Sequence, residues 1–220
     1  MSRARLARLP LLLFALSTAC GPDPPADPVA CTAGFLGDAS SPVEFEFTAV
    51  SPYYVTEPLA DGGTISLMKP PQGGQVLFVG ARVTNVDSCG LQITGALRDE
   101  KTQQVRFDTR SINLIPTGDG WGVTGTIGAN VEGLISNFSN IPVCGNSWST
   151  TDVDGHEYGL EVTITDRGGR TLLKKIHVTP ECNEPSSAAN CVCICRAGYV
   201  AGSDCPAPMG DAGVADGGDG

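Results

Sequence analysis

The residues best suited to chemistry are nine cysteines, two histidines and a short run of carboxylates. Cys20 closes an apolar run. Cys31, Cys89 and Cys144 are widely spaced, and Cys182, Cys191, Cys193, Cys195 and Cys205 crowd near the end of the chain. Setting Cys20 aside leaves eight, an even number suited to disulfides. With three of the eight in the body and five in the tail, complete oxidation requires a tail cysteine to pair with the body. Each bridge between distant segments contributes about 2–4 kcal/mol. The alternative for Cys191, Cys193 and Cys195 is metal binding, but their alternate-residue spacing is that of a thiolate cluster and not the gaps of a zinc site. An exported chain meets an oxidising compartment, so disulfides are expected, with no metal and no cofactor.

The remaining candidates are sparse. His156-Glu157 begins the helical zinc-protease pattern, but Leu160 stands where the second histidine belongs. The chain has no Gly-x-Ser-x-Gly elbow, phosphate loop or dinucleotide fingerprint. Asp152, Asp154 and Glu157 offer carboxylates for calcium. An EF-hand is excluded, because Gly155 falls at the fourth position and Thr163 at the twelfth. The competing reading of Asp152-Val-Asp154-Gly155 is a turn before a strand, which needs no ion. No catalytic residue is assigned. A hydrolase with an unrecognised site using His156 or His177 is one alternative function, and a calcium- or carbohydrate-binding module is another.

The elements that must position these groups are strands. Val43, Phe45, Phe47 and Ala49 alternate with Glu44, Glu46 and Thr48 over 43–50, the period of a strand with one buried face. Weaker strands are expected over 53–56 and 64–68. A stronger one covers 75–86, with Leu77, Val79, Ala81 and Val83 on one face and Val76 and Phe78 on the other. Further strands are expected at 91–97, 105–109, 111–115 and 121–127. Residues 138–143 read as an edge strand, since Pro142 cannot donate to a ladder. Residues 158–164 and 172–178 form a hairpin across Asp166-Arg167-Gly168-Gly169-Arg170. No helix is expected over 43–180, and strands recurring at such short intervals predict an all-β, antiparallel sandwich.

The ends differ from the body. Arg3, Arg5 and Arg8 precede an apolar run from Leu9 to Leu16, followed by Ser17-Thr18-Ala19. This is the layout of a signal peptide over 1–19, with a run too short to span a bilayer. Residues 20–42 open on four prolines in the ten residues 21–30, an extended tether. Residues 207–220 are acidic and of low complexity, a composition expected to be disordered. Loss of 1–19 removes three of 14 basic residues and no acidic one, leaving 11 against 24 and a net charge of −13. That charge opposes binding to nucleic-acid phosphates and to anionic headgroups.

Three resemblances sharpen this. Ala19-Cys20 resembles the lipobox of bacterial lipoproteins, which implies acylation of Cys20 and a membrane anchor. Gly21, in place of the aspartate of enteric inner-membrane retention signals, favours the outer membrane or cell surface. Ordinary cleavage before Cys20 would instead give a soluble secreted or periplasmic protein with a thiol there. Asp154 and Tyr158 resemble the tyrosine corner of immunoglobulin (Ig)-like domains, although Leu160 stands where those domains carry a cysteine. Residues 158–171 resemble the last hairpin of bacterial Ig-like and PKD-like domains, which implies a single Ig-like sandwich over 43–180. Cys193-Ile-Cys195-Arg-Ala-Gly198-Tyr199 followed by Cys205 resembles the end of an EGF-like module over 181–206. That resemblance implies a Cys195–Cys205 bridge, a bend at Gly198 and packing of Tyr199 on that glycine. The implied role is non-catalytic: display, binding or structure at a cell envelope, with an envelope protein or glycan as partner and residues 146–157 as contact loop.

Overall fold

Alternating apolar residues drive two sheets to face each other. In the computed structural model, Cys31, residues 33–70 and 72–202, and Cys205 are described. The expected leader over 1–19, Cys20, residues 21–30 and 32 of the expected tether, and residues 207–220 lie outside them. The strands are β1 (Phe35–Leu36), β2 (Glu44–Val50), β3 (Thr56–Pro58), β4 (Gly63–Ser66), β5 (Gln75–Thr84), β6 (Val86–Asp87) and β7 (Leu91–Arg98). They continue with β8 (Val105–Ile112), β9 (Ile115–Pro116), β10 (Trp121–Val123), β11 (Ser139–Cys144), β12 (Tyr158–Thr165) and β13 (Thr171–Glu181). A 3-10 turn covers Glu132–Asn137, and one helix, α1, covers Ala188–Cys195.

The protein is a β-sandwich. One sheet runs β3-β2-β5-β10-β9, with β11 sharing the β10 side of β5; the other runs β4-β13-β12-β7-β8. β5 is the axis of the first sheet: β2 pairs along one side, and β10 and β11 divide the other. Phe45 and Phe47 of β2 and Leu77, Val79, Ala81 and Val83 of β5 pack against Ile93, Leu97, Leu160, Val162 and Ile164 of the opposite sheet. The other face of β5 is apolar as well. Val76 and Phe78 join Val50, Met68, Val131 and Phe138 in a second cluster beneath loops. A strand buried on both faces needs apolar residues at consecutive positions, which 76–79 supply.

Several expectations change. The strand expected over 75–86 breaks at Asn85, whose φ of 59° leaves the extended region. Its side chain takes the Asp38 amide and donates to the Pro42 carbonyl, bonds that reward the left-handed backbone asparagine tolerates. Residues 52–54 turn, with Tyr54 at φ 58°, Val55 makes an isolated bridge to Asn130, and the strand begins only at Thr56. Trp121 begins a strand that ends at Val123. The sandwich is not wholly antiparallel, since β4 runs parallel to β13 from Gly63↔Val178 to Ser66↔Glu181. The edge position of β11 agrees with Pro142: among the described residues it pairs only with β5.

The two sheets are joined where β11 passes β7 and β8. Ser139 Oγ donates to the Asp108 carbonyl (2.8 Å) and accepts from the Gly95 amide (3.0 Å). The Asn140 amide donates to Asp108 Oδ2, which also takes Nε of Arg110. This close approach requires glycine at 95, where a Cβ would lie 2.8 Å from Ser139 Oγ and 3.0 Å from Ile141 Cδ1. Replacing Gly95 with valine should therefore lower unfolding stability by about 1–3 kcal/mol, the usual cost of overpacking. Equilibrium urea unfolding of the variant beside the parent would measure it, and an unchanged midpoint would contradict the packing described.

Candidate functional site

The chemistry-bearing residues gather at one end of the sandwich, where the cysteine-rich tail folds over the loop after β11. α1 begins after Ser187 and carries Ala188-Ala189, good helix formers, in its first turn. Cys191 and Cys195 lie four residues apart and so share one face of it. Both are fully buried against the sandwich core. Cys193, two residues from each, points elsewhere. This periodicity decides the disulfides. Cys195 bonds Cys144 at the end of β11, Cys191 bonds Cys182, Cys193 bonds Cys205, and Cys31 bonds Cys89.

The Cys195–Cys205 bridge implied by the EGF-like resemblance is thus corrected. A helix turns Cys195 inward to the body and leaves Cys193, on the other face, to reach Cys205. The eight cysteines from Cys31 to Cys205 are all paired, and one bridge, Cys144–Cys195, joins tail to body. Gly198 does adopt a positive φ of 68°. Tyr199 packs on a different glycine, Gly145, where a Cβ would come within 2.6 Å of the ring.

Backbone and side-chain hydrogen bonds complete the dock. The last carbonyls of a helix have no partner within it. Here Ile194 O receives the Asn146 amide (3.0 Å), and Cys195 O receives both the Val153 amide (2.9 Å) and Nδ2 of Asn146 (3.1 Å). Asn146 also donates to Thr151 O and accepts from the Ser149 amide. At the start of the tail, buried Glu184 takes the Lys69 amide and the Ser187 hydroxyl.

The proposed calcium ligands are drawn into this clamp. Asp152 Oδ1 accepts the Ala197 amide (2.7 Å) and Asp154 Oδ1 accepts the Cys182 amide (2.7 Å), while Glu157 is exposed beyond the next turn. Each aspartate holds a different point of the tail, so the three carboxylates do not converge. Among the described residues, the one group of three or more candidate ligands with mutually close donor atoms is Cys182, Cys191 and Cys195. Within the 146–157 loop Asn146, Trp148, Ser149 and Val153 are buried, while Ser147, Thr150, Asp152 and residues 155–157 are exposed.

Beneath the loop sits a polar knot. Tyr158 Oη lies 2.7 Å from Ser149 Oγ and 3.0 Å from Thr151 O. Ser149 Oγ donates to Asp99 Oδ2 (2.9 Å). Burial pushes the Tyr158 hydroxyl pKa up. Burial also acts to raise Asp99, but the Lys101 amide, the Ser149 hydroxyl and Thr102 outweigh it and hold the carboxyl below its ordinary range. Trp148 stacks near Tyr158 and donates to Val143 O. This knot ties an upstream loop to a strand tyrosine; Asp154 is not its partner.

Outside, β7, β12 and β13 form a polar face with a shallow cleft of about 490 Å³ above Gly159. Glu161 bridges Arg98 (2.9 Å) and Lys175 (2.7 Å), and His177 sits between Glu100 (3.2 Å) and Asp61 (3.4 Å). The hydrogen bond from Arg98, aided by Lys175, outweighs partial burial and lowers Glu161 to about 2. The hydrogen bond to Glu100 raises His177. The two acidic neighbours of His177 come from two separate turns, which sequence patterning could not bring together. His156, by contrast, sits with Nδ1 3.0 Å from its local Asp154 O. No protein-family model, curated protein or solved structure matches the chain.

Two measurements follow from this geometry. His177 has its pKa raised by folding, so its contribution is present below its unfolded value of about 6.5 and is lost as pH rises through the raised value. Replacing Glu100 with Gln should move the His177 titration, followed by NMR, downward; an unmoved titration would contradict the pairing. Glu161 has the opposite sign: its contribution is present above the ordinary value of 4.5 and is lost as pH falls toward about 2. Among the disulfides, loop-closure entropy predicts about 4 kcal/mol for Cys144–Cys195, with separation 51, and about 3 kcal/mol for Cys193–Cys205, with separation 12. Thermal unfolding of the two Cys→Ser double variants should show the larger loss for the first, because it also releases the loop clamp.

Proposed function

We propose that the protein is an exported, lipid-anchored protein of a cell envelope that acts without catalysis, as a display, binding or structural module. The observation that carries this reading is the complete pairing of the eight cysteines from Cys31 to Cys205 in four disulfides. Such density belongs to an extracellular or otherwise oxidising compartment. It also leaves Cys20 as the one cysteine outside the disulfide set, at the position where a lipobox-like leader places its acylated residue. Among the described residues no helix is long and apolar enough to cross a membrane, so attachment in this reading rests on acyl chains, of which more than one is needed for stable anchoring.

The Ig-like kinship of the sandwich belongs to the same proposal. Its support is the bond from Tyr158 Oη back to Thr151 O, the kind of upstream contact a tyrosine corner makes. For a partner protein or glycan, the polar outer face around Arg98, Glu161, Lys175 and His177 offers a surface beside the exposed part of the 146–157 loop. Mass analysis of the N-terminal peptide from the native membrane fraction tests the reading. A diacylated or triacylated Cys20, with intact mass rising by eight hydrogens on reduction, is expected from an anchored chain with four bridges. An unmodified Cys20 at the mature N-terminus would overturn the anchor.

A further inference from the structure

Two of the four disulfides lie side by side. Cys191 and Cys195, on one face of α1, hold their sulfurs 3.7 Å apart although they are bonded to different partners. The sulfurs of Cys182, Cys191 and Cys195 all lie within 4.8 Å of one another. Cys144 lies outside that 4.8 Å set and is brought to it by its bond to Cys195. Three elements converge here: the end of β11, the residue after β13, and α1. The other four cysteines take no part, as Cys31–Cys89 ties the segment before β1 to the β6–β7 turn and Cys193–Cys205 leaves the opposite face of the helix.

The spacing has a chemical meaning. Zinc bound by thiolates sits about 2.3 Å from each sulfur, and a tetrahedron of that radius has edges of about 3.8 Å. The gap between the unbonded Cys191 and Cys195 sulfurs already matches one edge. Once the two bridges open, rotation about Cα–Cβ can separate the partners within each former pair, because their Cα atoms are 4.8 and 5.6 Å apart. Cys191 and Cys195 are fully buried, while Cys144 and Cys182 are partly exposed and give access.

We propose that, on reduction, Cys144, Cys182, Cys191 and Cys195 form a tetrathiolate site for one soft divalent ion of the zinc class, which replaces the two disulfides in holding the tail. The stoichiometry closes with a dithiol as reductant. Each bridge takes two electrons and two protons from one dithiol, which becomes a cyclic or protein disulfide. The four thiols then release up to four protons as they bind the ion. Reoxidation by a disulfide restores the bridges and expels the ion. The proposal is independent of the lipid anchor.

The test uses the full protein, reduced anaerobically with a phosphine and then alkylated with or without added Zn²⁺. Peptide mass mapping should show Zn²⁺ protecting Cys144, Cys182, Cys191 and Cys195 while Cys31, Cys89, Cys193 and Cys205 alkylate at unchanged rates. Titration with Co²⁺ should give one equivalent with thiolate-to-cobalt charge-transfer absorption. Cys182→Ser should weaken Co²⁺ binding about a hundredfold or more, since even the outer partners of ligands contribute 10–100-fold. Protection spread over all eight cysteines would overturn the site. So would no protection, cobalt absorption unaltered by Cys182→Ser, or equal affinity in the urea-unfolded reduced chain.

Discussion

The Cys144–Cys195 bridge is the constraint on which one whole end of the molecule depends. It fixes the last turn of α1 against the end of β11, and the polar groups on either side then complete one another. The helix presents carbonyls with no partner of their own, and the 146–157 loop presents amides that would otherwise be buried unpaired. Asn146 meets both needs at once, bonding two tail carbonyls and two points of its own loop. Without the tail, the Val153 amide would lose the Cys195 carbonyl it donates to. The tail is therefore a wall of the core and not an appended module.

A different solution operates along the side of the sandwich. β8 is the outer strand of its sheet and carries Arg106, Asp108 and Arg110 on the face turned inward. Inward charges protect an exposed edge from pairing with another chain. Here they are also occupied: Arg106 stacks over Trp148, and Asp108 receives both Arg110 and the Asn140 amide. The edge is thus closed by the Ser139 hydroxyl and Asn140 amide of β11 and by Trp148 of the following loop, with Gly95 allowing the approach.

The outer face of β12 and β13 follows the same economy of charge. Acidic and basic groups alternate across the strands, so Glu161 and His177 have neighbours of opposite sign in an overall acidic chain. Exposed pairs of this kind contribute little stability individually. Their consequence is a face that is polar, locally balanced and accessible, unlike the apolar and disulfide-locked end.

What the sequence determined by itself was the local periodicity. Alternation at 43–50, 91–97, 158–164 and 172–178 specifies strands and their buried faces, because side-chain direction in a strand depends only on position parity, whereas the strand expected over 75–86 stops before Asn85. The even count of eight cysteines likewise required a bridge between tail and body. The tertiary structure alone decided which cysteine made it. That choice depends on α1, a short helix whose stability comes from docking rather than from its own eight residues. The fates of Asp152 and Asp154 were decided in the same way. Their carboxylates stand two residues apart in the chain, and each accepts an amide many residues away, Ala197 for Asp152 and Cys182 for Asp154. Strand periodicity is a property of neighbours in sequence, whereas satisfaction of a buried donor or thiol depends on what the fold places beside it.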